Sequence, residues 1–147
     1  GLMTSNEIIR LYNAETLTEI GENCVIININ QTYKRGSGEN AIYDATKEIW
    51  DIKERRRNII EFVLSEYKGL IVEVFKVNNW YSKERGYNLG AKKYGQTYFG
   101  YGFEGEIASE NERNKYINKT ISPFKKRGFA SVLIFPETLQ KLKNNKG

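Results

Sequence analysis

The chain has 147 residues, 28% of them charged and 39% hydrophobic, enough for one domain around a single core and too few for two compact ones. No apolar run approaches the roughly 20 residues that cross a bilayer, and no basic-then-apolar leader opens the chain, so neither a membrane span nor an export signal is expected. Twenty-three Lys and Arg against 18 Asp and Glu leave a net charge of +5, which favours polyanionic partners.

In chain order, Thr4-Ser5-Asn6-Glu7 reads as a capping box, followed by Ile8, Ile9, Leu11 and Tyr12 in a short amphipathic helix ending near Asn13. CVIININ, residues 24 to 30, is a β-branched run with Val25, Ile27 and Ile29 on one face of a strand. The basic loop QTYKRGSGEN breaks it. Asn40 then caps a helix that carries Ile42, Ala45, Ile49 and Trp50 near one side.

From Ile59 the pattern changes to two apolar, β-branched segments, IIEFVLSEY and LIVEVFKV, joined around Lys68-Gly69. Glycine supplies the positive φ of a tight turn, so these read as a β-hairpin. Leu70, Val72 and Val74 fall on one face and Ile71, Phe75 and Val77 on the other, the pattern of a strand covered on both sides. NNWYSKERGYNLGAKKYGQTYFGYG shows no period until its end and reads as a long loop. FEGEIA returns to the sheet, Ser109-Glu110-Asn111-Glu112 caps a helix to about Asn118, ASVLIF is a last strand, and PETLQKLK a terminal helix with Pro136 in its first turn. The expected fold is a single α+β domain over residues 1–147, its sheet mostly antiparallel and barrel-like, flanked by short helices.

The absence of histidine removes Ser/His and Cys/His catalytic pairs and imidazole zinc sites. The lone cysteine, Cys24, excludes an internal disulfide and fits a reducing cytoplasm; between apolar neighbours it reads as a buried small hydrophobe. Arg55, Arg56 and Arg57 can straddle phosphates, although consecutive residues fan apart and at most two can face one ligand. A solvated turn balanced by Asp51 and Glu54 is the other reading of the run. Further basic groups stand at Lys34-Arg35, Lys92-Lys93 and Lys125-Lys126-Arg127, each in an expected loop. Trp50 and Trp80, with Tyr43 and Tyr81, can form an aromatic pocket for a base or pack in the core.

An enzyme reading exists as well. Asp51, Glu66 and Lys68 have the residue types of a Mg²⁺-dependent nuclease, in which carboxylates hold the metal and lysine assists the water. A lysine on the hairpin turn would leave that constellation unassembled.

YDATKEIW, ERRRNIIEFVLSEYKGLIVEVFKVNNW, FEGEIASENERNKYI and ISPFKKRGF occur in this order across most of residues 24 to 135. Together they resemble a domain of bacterial proteins that often carry a GIY-YIG nuclease-like domain ahead of it. No G-I-Y or Y-I-G tripeptide occurs in this chain, so the resemblance implies the appended domain and not the cleavage activity. The layout of a strand, a Trp-containing segment with arginines, a hairpin and a Phe-x-Gly strand is also similar to the PUA-like group, including ASCH and EVE domains. That similarity implies a small β-barrel that binds RNA or reads modified bases in DNA, with Trp50, Arg55 to Arg57 and Trp80 near the ligand cleft.

The expectation is thus a nucleic-acid-binding module without a cofactor. Its binding residues would be Arg55, Arg56, Arg57, Trp50, Trp80, Tyr43, Lys34, Arg35, Lys125, Lys126 and Arg127. The alternatives are the Mg²⁺ nuclease and a structural or protein-interaction domain accompanying a nuclease partner.

Overall fold

The computed structural model describes residues 3–34, 37–87, 97–125, 129 and 131–146. Helix α1 (Ser5–Asn13) begins at the expected capping box: the Thr4 side chain accepts from the Glu7 amide, and the Glu7 carboxylate accepts from the Thr4 amide. Strand β1 (Cys24–Asn28) is followed by two short helices, α2 (Ala41–Lys47) and α3 (Glu54–Arg57), then β2 (Phe62–Tyr67), β3 (Leu70–Tyr87) and β4 (Thr97–Ile107). Helix α4 (Glu110–Tyr116), a 3₁₀ turn (Ser122–Phe124), β5 (Leu133–Ile134) and α5 (Pro136–Lys146) complete the order. Among the described residues, no helix is long and apolar enough to cross a membrane.

The fold is α+β. Its one sheet has the order β4-β3-β2-β1-β5, with β1 and β2 parallel and the other neighbouring pairs antiparallel. A parallel pair needs a crossover, and residues 29–61, with α2 and α3, supply it. The sheet is open, with β4 and β5 at its edges, and does not close into the expected barrel.

Both faces of the sheet are covered, as the two-sided apolar strands require. On one face Cys24, Ile26, Leu64 and Val74 meet Leu17, Tyr116 and Leu139. On the other Val25, Ile27, Val63 and Phe75 meet Ala45, Ile52 and Phe103. Each fully buried Ile or Leu contributes about 1.5–3 kcal/mol of transfer free energy, so adjacent β1 residues anchor opposite layers. Cys24 is 1% exposed with its sulfur 3.7 Å from the Tyr116 hydroxyl, and burial pushes its thiol pKa up, away from reactivity.

The β2–β3 hairpin forms where expected, through Lys68 (φ 48°) and Gly69 (φ 90°), two left-handed residues in a two-residue loop. The face assignment along β3 differs from strict alternation. A register shift opposite Ser65 and Glu66 passes over Val72, so Ile71 joins Val74 on one face and Val72 joins Phe75 on the other.

The expected long loop is largely strand. β3 runs on to Tyr87 and β4 starts at Thr97, with Trp80 opposite Phe103 and Ser82 opposite Tyr101. Register shifts between Val77 and Asn79 and between Glu84 and Gly86 break the two-residue period, which is why the sequence shows none. The helix expected to carry Trp50 stops at Lys47 instead. Trp50 lies in an extended segment whose amide and carbonyl pair with those of Tyr101, at 2.9 and 2.8 Å, on the outer edge of β4.

Candidate functional site

Because β1 and β2 are parallel, their carboxyl ends coincide, with Asn28 opposite Glu66. The β2–β3 turn, the segment after β1 and the Lys125 segment after the 3₁₀ turn all gather at this end. Two clefts open there. Carboxyl ends of parallel strands are where open sheets with crossovers place their ligands.

The larger cleft has a volume of about 1040 Å³. Asn28, Asn30 and Gln31 supply amide groups to its wall, and Trp50 and Phe129 supply rings. Asp44, Glu48 and Asp51 add carboxylates, and Lys125 is its one basic side chain among the described residues. Trp50 is half-buried and its indole N–H donates to the Thr46 carbonyl at 2.7 Å. That bond fixes the ring and leaves it to offer a face rather than a donor. Glu48 accepts from the Tyr81 hydroxyl and is paired with Lys83. The Lys83 ammonium, then the Tyr81 hydroxyl, hold the Glu48 carboxyl below its ordinary range, while burial and the Glu48 contact push the Tyr81 hydroxyl upward.

The smaller cleft, about 670 Å³, is lined by Tyr33, Lys34, Tyr67, Lys68, Ser122 and also by Asn30 and Lys125, which it shares with the first. Tyr33 and Tyr67 meet edge to face with centroids 4.7 Å apart. Beneath the junction lies Glu66, fully buried at the end of β2. The Lys125 ammonium is 2.6 Å from its Oε2, an ion contact without the direction of a hydrogen bond, and the Asn28 amide donates to its Oε1 at 3.4 Å. Asn28 Oδ1 accepts from the Asn30 amide and Asn30 Oδ1 from the Lys68 amide, so the two asparagines tie the end of β1 to the hairpin turn.

Of the sequence-derived binding residues, Trp50, Lys34 and Lys125 line these clefts. Arg55 is exposed and lines neither. Arg56 is ion-paired with Glu137 and stacks over Phe135 at 4.1 Å. Arg57 donates to the Ile52 carbonyl and lies 3.6 Å over the Tyr101 ring. The four-residue helix α3 explains the division: its side chains fan around the axis, turning Arg56 and Arg57 onto the protein and Arg55 outward.

Tyr43 and Trp80 line neither cleft either. Both pack on Phe103, at centroid distances of 5.9 and 5.6 Å. The Tyr43 hydroxyl donates to the Phe103 carbonyl and accepts from the Gly105 amide, capping the outer edge of β4. The Trp80 indole nitrogen is buried and meets no acceptor among the described residues. Arg35, Lys92, Lys93, Lys126 and Arg127 lie outside the described residues.

The nuclease constellation is not assembled. Lys68 sits on the turn, and its ammonium is 3.6 Å from Glu7. Glu66 is buried under Lys125 and lines neither cleft, while Asp51 is exposed and lines the larger one. Among the described residues, no three Asp, Glu or Cys side chains gather as a metal site. Asn28, Asn30 and Gln31 went unnoticed in the sequence, although three amides within four residues of the end of a core strand were the signal available.

Comparison with protein-family models, with curated proteins and with solved structures found no match to this chain.

Proposed function

We propose that this chain is a non-enzymatic nucleic-acid-binding module that takes one base of RNA, or of single-stranded or modified DNA, into the larger cleft. The observation that carries the reading is the cleft wall, where Asn28, Asn30 and Gln31 stand with the rings of Trp50 and Phe129. Amide side chains donate and accept, as base edges do, and an aromatic face adds about 1–3 kcal/mol per stacked base. Asn28 is held by Glu66 and the Asn30 amide, and the Asn30 Oδ1 by the Lys68 amide, so Gln31 and the Asn30 Nδ2 are the groups that meet the base. Lys125 and Lys34 at the clefts, and the exposed Arg55, hold phosphates of the flanking strand.

The reading extends to the two resemblances of the sequence, one to the domain that follows a GIY-YIG nuclease-like domain in bacterial proteins and, separately, one to the PUA-like group. The PUA-like part is supported by the β3–β4 ribbon, whose outer edge at Tyr101 pairs with the Trp50 segment. The sequence resemblance adds to this.

Fluorescence anisotropy with labelled single-stranded RNA, single-stranded DNA and duplex tests the reading. Single strands should bind at low salt, with affinity falling steeply as salt rises. Trp50→Ala should weaken single-strand binding at least tenfold while circular dichroism shows a folded protein. The absence of any affinity at low salt sinks the proposal.

A further inference from the structure

The two clefts have opposite electrical character. The larger is walled by Asp44, Glu48 and Asp51 with one lysine, whereas the smaller is lined by Lys34, Lys68 and Lys125 and by no carboxylate among the described residues. Lys68 is balanced by Glu7 and Lys125 by the buried Glu66. Lys34 has no ion pair among the described residues, so among them it is the one lysine of this cleft without a carboxylate partner.

Asp44 is paired with Lys47 and Glu48 with Lys83, which leaves Asp51 as the carboxylate of this wall without an ion pair among the described residues, and phosphate beside it meets a like charge that water screens only in part. A base edge carrying amino or imino hydrogens meets acceptors there instead. The reverse holds next door, where ammonium groups, the Ser122 hydroxyl and the Asn30 amide suit phosphate oxygens and the tyrosine rings close the wall. Asn30 and Lys125 line both clefts, so the two are adjacent, and a ligand with a donor-bearing end and an anionic end can set one end in each.

We infer that the lysine-lined cleft is the phosphate subsite of the same nucleotide whose base enters the larger cleft, with Lys34 as its principal charge. This inference rests on the nucleic-acid reading above. The phosphate is either an internal diester or a terminal monoester, and both present the same anionic oxygens.

The test compares wild type, Lys34→Glu, Lys34→Arg and Trp50→Ala by anisotropy, using short single-stranded oligonucleotides with and without a terminal phosphate across a salt series. Lys34 is exposed, so its variants should fold, and thermal melts check this. Lys34→Glu should weaken binding at least tenfold and flatten the salt dependence by about one phosphate contact, while Lys34→Arg should retain both. A loss confined to the terminally phosphorylated oligonucleotide identifies a monoester, and an equal loss for both identifies a diester; each supports the inference. Unchanged affinity and salt slope in Lys34→Glu, with binding lost in Trp50→Ala, overturns the phosphate subsite and leaves the base-binding reading standing. No binding by wild type removes both.

Discussion

The ammonium of Lys125 lies 2.6 Å from a carboxylate oxygen of Glu66, a residue with 0% exposure at the end of a central strand. Each partner compensates the other, but only the lysine, with 22% of its side chain exposed, can turn to water. Removing the lysine should therefore cost more than neutralising the acid. Lys125→Met leaves a buried, unpaired carboxylate and should destabilise the fold by about 3–5 kcal/mol, whereas Glu66→Gln should cost less. Urea unfolding of the two variants measures the difference, and equal costs would contradict the asymmetry.

The arginine run separates by direction. Arg57→Ala should lower stability by about 1–2 kcal/mol, through loss of the contact over Tyr101 and the bond to the Ile52 carbonyl, with little change in oligonucleotide affinity. Arg55→Ala should do the opposite, leaving the melting temperature in place and weakening binding equally for all sequences. Melting and anisotropy on the same samples decide between these assignments.

Two carboxylates are held below their ordinary value of 4.5, Glu137 by the hydrogen bond from Arg56 and Glu48 by Lys83 and then Tyr81. A depressed folded pKa contributes stability that is present above the unfolded value and lost as pH falls through the folded one. Melting temperature should therefore fall as pH drops below about 4.5, partly because these pairs are lost. Lys83→Met and Arg56→Met should each make that decline shallower. Melting curves across the acid range test it, and an unchanged slope in both variants would assign the acid loss elsewhere.

Gly69 holds φ at 90°, and a Cβ there would stand 2.3 Å from the Ser122 hydroxyl oxygen. Backbone strain and the displaced 3₁₀ turn should cost Gly69→Ala about 1–3 kcal/mol. Since Ser122 lines the smaller cleft, the same change should weaken phosphate-dependent binding. Chemical denaturation and anisotropy report the two effects separately.

Local chemistry by itself determined much of this molecule. Thr4 and Glu7 specify a helix start because both halves of a capping box lie within four residues, and Ser109 caps α4 with one half of such a box, accepting from the Glu112 amide while the Glu112 carboxylate pairs with Lys115. Lys68-Gly69 between two apolar runs specifies a hairpin, and strands without a polar face specify a sheet covered on both sides. Each signal spans a few bonds, so no distant contact is needed to read it.

Tertiary structure decided the rest. The register shifts near Val72, Val77 and Glu84 arise from pairing with another strand, and they turned an aperiodic stretch into the longest ribbon of the sheet. The parallel alignment of β1 and β2 brought Asn28 to Glu66 and Asn30 to Lys68 and set Lys34 and Lys125 on one cleft, across separations that no local pattern encodes. The same packing turned Arg56 onto Glu137 and Arg57 onto Tyr101, leaving only Arg55 of the three facing water. Composition shows how many cations a chain carries; which of them face a ligand depends on the partners that folding places beside them.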